Sequence, residues 1–510
     1  MLGAMRQGTS LWDGAVLALL AALSATHALY FSHLADDAYI SFRFAANFAD
    51  GHGLVFNPGE RVMGYSNFLW VLGLGGLEAL GWRSPSAAPV VGIALGWGIL
   101  ALLYGHVRAA FGSRVVAAAA AALLATNATF ALWLAGGLEG PLFGLGLTTA
   151  VVLALRIHER APLRSFGVLG VVFGLTAWTR PEGVFYAVPV GLWLVLREPT
   201  AQRLRGVAVF AGVVAASYAL FLGGAWAYYG DPMPNPFYAK YHPLSLEVLS
   251  RGAVIGLWFV EGYWGWPLLV VGMWAGLCGR SLRSPGWLPV LLIAAFVVFF
   301  LRVGGDGQAY YRMWFWMLPM FALLFGEALG RLSAQGDRRA RVWGAAFAGV
   351  VLVFNLQHSL IGGELERVRR DESLGQDAVL IAERLAEAYP DARVAANNVG
   401  VLSYVSGLPV LDMLGLTDRH IAKAPGKPLG FPAHESHDGQ YVLDQEPDII
   451  FYGIPLAYPG KPSRREVLSV AYPSDLDLRE DPRFERDYRL HYLDLGDGRF
   501  SPLFRRRDRS

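Results

Sequence analysis

A single cysteine, four lysines and few charged residues set the first limits on what this chain can be. With Cys278 alone, no disulfide can form within its 510 residues. The net charge of +2, with 39 arginines against four lysines, gives no reason to expect a nucleic-acid partner. Charged residues make up 16% of the chain and hydrophobic residues 54%, for a mean hydropathy of +0.37. This balance excludes an ordinary soluble globular protein and indicates a polytopic membrane protein.

Hydrophobic runs suited to membrane helices recur up to about residue 357, and arginines mark alternate connections between them. The positive-inside rule places those arginine-rich connections in the cytoplasm. The apolar run 65–82 would reverse this pattern if it crossed the membrane, so we predict that it lies in the outer interface. We therefore expect a retained first helix, a cytoplasmic N-terminus and about eleven spans. The predicted spans are residues 12–31, 88–107, 115–134, 138–157, 165–179, 183–196, 207–229, 264–279, 287–301, 313–330 and 342–357.

The sequence divides into two parts of different character. Residues 1–358 form the predicted transmembrane helix bundle, with residues 32–87 as its first external loop. From residue 359 onward charges become more frequent, a Glu- and Arg-rich helical stretch covers 364–388, and short apolar runs typical of buried strands follow. We expect residues 359–510 to form a small external α/β domain whose last residues are frayed.

The acidic pair Asp36 and Asp37 opens the sequence DDAYISFR, directly after the first hydrophobic run. Two adjacent carboxylates at a membrane surface are costly to keep ionised together and rarely serve packing, although a solvated loop start is the competing explanation. The predicted topology brings further polar segments, such as WTRPEG, NPFYAKYH and RVGGDGQAYYR, to the same outer face. We therefore predict one polar site at the outer membrane surface.

The chemistry open to this site follows from its side chains. The membrane half has no His/Cys set with zinc spacing, no phosphate-binding P-loop and no dinucleotide fingerprint, so cytosolic nucleotides are poor reactants. Carboxylates beside cations suit a reaction that activates a hydroxyl and stabilises a phosphate leaving group. A lipid-phosphate sugar meets both needs, with Asp36 and Asp37 as catalytic candidates and Lys240, Arg180 and Arg312 as cations for the phosphate.

Other polar and aromatic residues are candidates for substrate binding. In the membrane half, interfacial aromatic belts, snorkelling and local ion pairs are the competing explanations. In the C-terminal part, where His434, His437 and Asp438 lie nearby, a structural role competes with a metal or acceptor site. A divalent cation at the adjacent carboxylates stays open. The candidates are Arg43, Tyr65, Asn67, Glu139, Glu182, Asn235, Tyr238, Asp306, Tyr310, Asp412, Asp418 and His420.

The runs DDAYISFR, GHGLVFNPGERV and GYSNFLW, between Asp36 and Trp70, resemble the first external loop of the GT-C membrane glycosyltransferases. The resemblance is closest to the branch that adds terminal β-1,2-arabinofuranose in the mycobacterial cell wall. It continues through GLEGPLF, WTRPEG, NPFYAK, VGGD with Arg312 downstream, and LDMLGLTDRHIA. The resemblance implies a mainly α, GT-C type helix bundle in a bacterial cytoplasmic membrane, with the C-terminal domain in the periplasm. It also implies a polyprenyl-phosphate sugar donor, a glycan or glycoconjugate acceptor, and a catalytic acidic residue in the Asp36-Asp37 pair.

Three alternatives stay open beside arabinofuranosyl transfer. Another GT-C reaction could move mannose or aminoarabinose to protein or lipid A. A flippase for lipid-linked sugars should instead place ionisable residues near the middle of the bilayer, whereas here most lie at external helix ends. A non-enzymatic accessory protein of the cell envelope is the third alternative.

Overall fold

The computed structural model shows a mainly helical chain whose C-terminal part contains a sheet. It describes residues 11–31, 33–158, 160–262, 284–334, 338–361, 363–424, 435–469 and 472–507. The helices up to residue 360 are α1 (Leu11–Phe31), α2 (Asp36–Ala49), α3 (Phe68–Ala79), α4 (Ser84–Phe111), α5 (Arg114–Ala125), α6 (Ala128–Ala135), α7 (Gly140–Arg156), α8 (Leu163–Thr179), α9 (Gly183–Arg197), α10 (Ala201–Tyr229), α11 (Asn235–Ala239), α12 (Leu246–Gly262), α13 (Trp287–Val303), a 3-10 segment (Ala309–Met317), α14 (Leu318–Ala334) and α15 (Arg338–Leu360).

The apolar helices make this a multi-pass membrane protein. Five helical stretches of the described residues are long and apolar enough to cross a membrane alone, and the bent pair α5 and α6 makes a sixth. Helices α7, α8, α9 and α13 are equally apolar but have only 15 to 17 residues, fewer than the roughly 20 that span a bilayer. The total of eleven spans therefore stays a prediction, and the predicted span 264–279 lies outside the described residues.

The predicted span 115–134 is a broken helix, because α5 and α6 meet at an angle of 62°. The break is stabilised by Asn127, whose side-chain oxygen accepts the Phe130 N–H and starts α6. The amide of Asn127 donates to Asn355 of α15 at 2.9 Å, and Asn355 in turn donates to the Leu123 carbonyl oxygen at the end of α5. The carbonyl groups freed by the bend thus find partners on a neighbouring helix.

The predicted span 313–330 likewise begins with a non-α segment. Tyr310 and Tyr311 have φ of 45° and 54°, a left-handed conformation that is unfavourable for large side chains. Helix α6 holds this turn, since the Thr129 hydroxyl donates to the Tyr310 carbonyl oxygen at 2.7 Å and the Trp133 indole donates to that of Ala309 at 3.1 Å. The polar loop before α14 is thereby fixed against the inside of the bundle.

Charged residues lie at both ends of the bundle, and the two ends differ. At one end, Asp13 near the start of α1 pairs with Arg114 at 3.0 Å and with Arg108 at 3.6 Å. Arg197, at the end of α9, points to the carbonyl oxygens at the end of α7. The opposite end of the bundle carries other polar residues. Asp36 follows the end of α1 there, and Glu139 comes just before the start of α7. This separation agrees with the alternation of arginine-rich loops in the sequence.

The C-terminal part contains a five-stranded mixed sheet, in the order β2-β1-β3-β5-β4. The first three strands are parallel, and β4 and β5 form an antiparallel hairpin that joins through β3. The strands are β1 (Val394–Ala396), β2 (Val410–Asp412), β3 (Ile449–Ile450), β4 (Tyr488–Gly496) and β5 (Arg499–Arg506). The helices are α16 (Gly363–Ala388), α17 (Gly400–Ser406), α18 (Arg419–Ala422), α19 (Gly439–Asp444), α20 (Arg464–Val467), α21 (Pro473–Glu480) and α22 (Pro482–Asp487).

The expectation of a frayed tail was wrong as far as residue 506. Strand β5 pairs with β4 along its whole length, and Phe504 is fully buried in the core of the sheet. Leu503 is buried as well, so these two consecutive residues place apolar side chains on opposite faces of the sheet. The run of arginines that follows concealed this strand in the sequence. Whether residues 359–510 form an independent external domain stays a prediction.

The orientation of the bundle can be tested with single cysteines in a Cys278→Ser background. His52→Cys and Arg465→Cys lie on exposed positions of the polar end and the C-terminal part, and we expect both to react with an impermeant thiol reagent in intact cells. Gln202→Cys and Ala334→Cys are exposed at the arginine-rich end and should react only after the membrane is permeabilised. The opposite labelling pattern would reverse the predicted topology.

Candidate functional site

The loop after α13 places Arg312 beside Asp37. Arg312 donates from Nε and Nη2 to the two carboxylate oxygens of Asp306, at 3.0 Å each, and from Nη1 to Oδ2 of Asp37 at 3.1 Å. Gln308, which sequence reasoning did not single out, approaches the same oxygen at 3.4 Å. The guanidinium also lies 5.9 Å from the ring centre of Trp133. The bidentate pair with Asp306 fixes the guanidinium of Arg312, and its remaining donor then holds the Asp37 carboxylate.

Asp36 makes different contacts from its neighbour. Its carboxylate accepts hydrogen bonds from the backbone N–H groups of Gly400, at 3.2 Å, and Val401, at 2.9 Å, at the start of α17. A Cβ on residue 400 would stand 2.0 Å from the carbonyl oxygen of Asp36, so glycine is required there. Burial raises the pKa of Asp36 to about 6, although the two N–H groups oppose the shift. Asp36 joins the first loop to the C-terminal part, and it is not a solvated loop residue.

Lys240 borders a narrow cleft of about 60 Å³ together with Asp37, Asp306 and Arg312. Lys240 follows directly on α11, and in the described part of the chain it forms no ion pair. Its side chain is exposed, yet many protein atoms surround its ammonium group. This removal from bulk water lowers the pKa of its ammonium, and the nearby Asp37 opposes the shift. Lys240 is therefore a cation that an incoming anion can reach.

Arg180 lies at the end of α8, between two carboxylates. It forms ion pairs with Glu139 and, at 2.5 Å, with Glu182, and its guanidinium lies 4.8 Å from the ring centre of Trp316. Asn67 donates to the other oxygen of Glu139 at 2.8 Å and so ties the first external loop to this group. The local salt bridge that competed with phosphate binding for Arg180 is thus present. Both arginine candidates are held by carboxylates, in contrast to Lys240.

Two further candidates from the first loop are buried structural groups. Arg43 donates to the carbonyl oxygens of Phe56, at 3.1 Å, and Gly407, at 2.9 Å, and so bridges α2 to the C-terminal part. The Tyr65 hydroxyl contacts that of Tyr229 at 2.9 Å, and only 3% of Tyr65 is exposed. Neither residue lines the cleft around Asp37. The structure places both outside the cluster that their sequence positions suggested.

The candidates after α10 are also dispersed. Asn235 donates to two carbonyl oxygens in the loop 415–418. The Tyr238 hydroxyl donates to Asp231 at 2.8 Å. Tyr310 is fully buried in the 3-10 segment, and its ring packs within the bundle. These three residues shape the walls near the site and do not border the cleft.

The C-terminal candidates lie on the far side of the loop that follows β2. Asp412 is buried there, and it accepts hydrogen bonds from the backbone of Leu414 and from both the backbone and the hydroxyl of Thr417. Asp418 starts α18, and His420 contacts Asp438 at 2.8 Å. Asp412, Asp418 and His420 border a separate open groove of about 460 Å³. The sequence suggested them for a metal or acceptor site, and the loop after β2 lies between this groove and the cleft around Asp37.

Glu435 and Arg251 were missed by sequence reasoning. Glu435 is 2% exposed and accepts a hydrogen bond from Arg251 of α12 at 2.7 Å. The next residue, Ser436, donates to the carbonyl oxygen of Ala239, immediately before Lys240. The contact crosses 184 residues of sequence, and no local motif signals it. This segment of the C-terminal part therefore fixes the backbone that carries Lys240.

No metal centre is evident in the ranges that the structure describes. Within them, no group of three or more His, Cys, Asp or Glu side chains is arranged to hold an ion. His437 instead pairs with Asp477 at 2.6 Å, and His434 lies outside the described residues. The question of a divalent cation at the Asp36-Asp37 pair therefore stays open.

Solved structures of membrane transferases share this fold. ArnT from Cupriavidus metallidurans bound to undecaprenyl phosphate is similar over 98% of both chains, with a TM-score of 0.60 and 12% identity. The oligosaccharyltransferase of Archaeoglobus fulgidus is similar over 78% of this chain and 64% of its own, with a TM-score of 0.52 and 13% identity. The protein is a polytopic membrane protein with the GT-C fold, as the resemblance predicted.

Sequence comparison points to one branch of such proteins. The terminal β-(1→2)-arabinofuranosyltransferase of Mycobacterium tuberculosis is 31% identical over 277 residues, which cover 51% of this chain and 43% of the relative. The enzyme of the same name from Corynebacterium glutamicum is 33% identical over 173 residues, 30% of this chain and 23% of its own. The chain thus matches less than half the length of these relatives. Residues 367–501 match a family described as a domain of unknown function (DUF8728).

The different contacts of the acidic pair predict different effects on stability. Asp36→Ala leaves the two N–H groups of α17 without an acceptor, and we expect a loss of about 1–3 kcal/mol in the free energy of unfolding. Asp37→Ala leaves the Arg312 and Asp306 pair intact and should change stability by less than about 1 kcal/mol. Thermal unfolding in detergent measures both. Equal destabilisation by the two substitutions would contradict the assignment.

Asp412 predicts a pH dependence of stability. Burial raises the pKa of Asp412 to about 6, against the N–H groups that lower it, compared with 3.8 in an unfolded chain. A raised carboxyl pKa gives stability that is fully present below about pH 4 and is lost as pH rises through 6. We therefore expect the stability of the wild type relative to Asp412→Asn to fall between pH 4.5 and 7. Melting temperatures across this range measure the change, and Asp391→Asn, at an exposed position, is the control. A difference in melting temperature between wild type and Asp412→Asn that does not vary with pH would reject the prediction.

Proposed function

We propose that this protein is a membrane glycosyltransferase that moves a sugar from a polyprenyl-phosphate donor to a glycan or glycoconjugate hydroxyl. The names of its relatives favour arabinofuranose as that sugar. The observation that carries the proposal is the cleft in which Asp37, held by Arg312, faces Lys240 at one end of an apolar helix bundle. A base and a cation for a leaving phosphate stand there side by side. The catalytic end would face the periplasm of a bacterial cytoplasmic membrane.

In this mechanism Asp37 accepts the proton of the acceptor hydroxyl, or stabilises the positive charge that develops on the sugar as the bond to phosphate breaks. Lys240 receives the departing phosphate, because its ammonium forms no ion pair among the described residues, although Asp37 and Asp306 lie near enough to favour its charge. Arg312 holds the carboxylate of Asp306 and Arg180 that of Glu139, and both arginines add positive electrostatic potential near the cleft. Asp36 joins the first loop to the C-terminal part and lines the same cleft, so it is the second catalytic candidate of the pair.

The position of the charges favours an enzyme over a flippase. A transport path needs ionisable groups near the centre of the bilayer. Here Asp37, Lys240, Asp306 and Arg312 lie at helix ends, beside the C-terminal part and its Asn397 and Asn398.

The choice of sugar and lipid rests on similarity. The two curated relatives are named for arabinofuranose transfer, which favours that sugar. The ArnT structure contains undecaprenyl phosphate, and its fold covers almost the whole of this chain, which favours a polyprenyl-phosphate donor. Mannose and aminoarabinose are the competing sugars.

The proposal is tested with the purified protein in detergent. Polyprenyl-phosphate arabinofuranose, mannose and aminoarabinose are supplied in turn, with short neutral oligosaccharides as acceptors, and the product linkage is determined. We expect transfer from the arabinofuranose donor, and Asp37→Asn should lower turnover by about 100-fold or more. Full activity of Asp37→Asn would reject the central role of this carboxylate, and no transfer from any donor would reject the function.

A substitution series at Lys240 separates a phosphate ligand from a membrane anchor. If Lys240 meets the donor phosphate, Lys240→Ala and Lys240→Gln should both raise the donor KM by about tenfold or more, and Lys240→Arg should keep part of the activity because charge survives while geometry changes. A snorkelling anchor would be replaced fully by Arg, and Gln would harm folding more than catalysis.

Initial rates at varied donor and fixed acceptor, beside the melting temperature of each variant, distinguish the two. Lys461→Ala is the matched control, because Lys461 is an exposed lysine of the C-terminal part, near Tyr492 and Phe500. Equal donor KM for Lys, Ala and Gln at position 240 would withdraw the phosphate assignment.

A further inference from the structure

A second and larger cavity, of about 360 Å³, reaches Asp37 from the other side. It shares Asp36, Asp37, Gln308 and Asn398 with the narrow cleft, but Lys240 and Arg312 do not line it. Its outer wall is a face of α16, the first helix after the membrane bundle. Asp37 therefore stands between a space with cations and a space without them.

The larger cavity is polar and carries no positive charge on its described walls. Asp371 and Glu372 of α16 face it beside Gln376, and none of its lining residues in the described ranges is Lys or Arg. Arg367, one turn earlier on α16, reaches Asp371 only at 4.0 Å. Such a surface offers hydrogen-bond acceptors to hydroxyl groups and repels anions.

His33 adds a neutral polar ring to this wall. It lies on the wall of the cavity and is only 8% exposed, and its Nδ1 has no hydrogen-bond partner among the described residues. Burial lowers the pKa of His33 to about 4, so the ring is neutral near pH 7. His33 therefore adds no positive charge to the wall of the cavity.

Gly375 opens the wall at the middle of α16. Glycine inside a helix makes the helix less stable than alanine would, and close packing against a neighbour usually explains why glycine is present. Here nothing lies within 4 Å of the position that a Cβ would occupy, so packing does not require glycine. The residue lines the cavity, and its missing side chain leaves room there.

Helix α16 is held firmly enough to act as a wall. Glu364 accepts the Tyr310 N–H at 2.9 Å, and Arg367 donates to the Gly307 carbonyl oxygen, so the start of the helix is tied to the loop that carries Arg312. Asp377 pairs with Arg499 of the hairpin at 3.0 Å. The distance from Gly375 to Asp37 is thus fixed by contacts at both sides of the cavity.

We propose that this face of α16, with Gly375 at its centre, selects the acceptor: it admits an uncharged, hydroxyl-rich saccharide to Asp37 and excludes phosphate-bearing acceptors. The inference rests on the proposed transferase function and deepens it. It separates the two substrates, since the donor phosphate enters on the Lys240 side and the acceptor hydroxyl on the α16 side.

The test compares Gly375→Ala, Gly375→Leu and, as a matched control, Ser373→Leu on an exposed position of the same helix that does not line the cavity. We expect Gly375→Ala to raise the melting temperature, and Gly375→Leu to raise the acceptor KM by about tenfold or more with the donor KM unchanged. Ser373→Leu should leave both constants unchanged. An unchanged acceptor KM in Gly375→Leu would overturn the inference.

Charge selection is measured with neutral arabinose or mannose oligosaccharides and the same compounds carrying one phosphate monoester. Glu372→Lys should lower the preference for the neutral acceptor by about tenfold. An unchanged preference would show that the acidic wall does not select.

A direct binding measurement distinguishes failure of this inference from failure of the proposed function. Saturation-transfer NMR detects the neutral oligosaccharide on the purified protein without turnover. Binding that is lost in Gly375→Leu and kept in Ser373→Leu, in a protein that transfers no sugar, would support the cavity and reject the transferase. Transfer with unaltered binding in Gly375→Leu would support the transferase and reject the cavity.

Discussion

The ion pairs of Arg312 are the constraint on which the site depends. One guanidinium holds Asp306 through two hydrogen bonds and Asp37 through a third, at the end of an otherwise apolar bundle. Carboxylates that are partly removed from water are stable there only while the cation stays in place, and breaking such a pair is far more costly than forming it is favourable. The turn before Arg312 is accordingly fixed by α6, through Thr129 and Trp133. These contacts stabilise the strained backbone at Tyr310 and Tyr311, and the strained turn places Arg312 beside the two carboxylates.

The C-terminal part completes the site as well as covering it. Asp36 accepts the N–H groups at the start of α17, Arg43 reaches the carbonyl oxygen at its end, and Glu435 and Ser436 hold the region around Lys240. Each contact links residues separated by more than 180 positions in the chain. Asp36 therefore binds the two parts of the protein together, and both carboxylates of the pair line the cleft.

Asp37 lies where two spaces meet, one lined by both cations and carboxylates and the other, in the described ranges, by carboxylates without cations. Lys240 and Arg312 border one, whereas Asp371, Glu372 and the neutral His33 border the other. This difference suits the transfer that we propose, because the donor's phosphate must be stabilised on leaving and the acceptor must lose a proton. In that proposal the donor and the acceptor would approach one carboxylate from separate sides.

The sequence by itself determined the membrane class, the place of most helices and the acidic pair, because apolar runs, arginine-rich loops and neighbouring carboxylates are local signals. Hydrophobicity also marked the strands Val394–Ala396 and Ile449–Ile450. Only the tertiary structure decided that Asp36 binds backbone while Asp37 faces Lys240, since two adjacent residues look alike until the chain folds around them. It likewise decided that Arg180 is held by Glu139 and Glu182, and that Asp412 lies behind a loop. The tertiary structure also showed that Gly375 lies beside open space, which depends on the elements packed around α16 and not on the sequence of the helix.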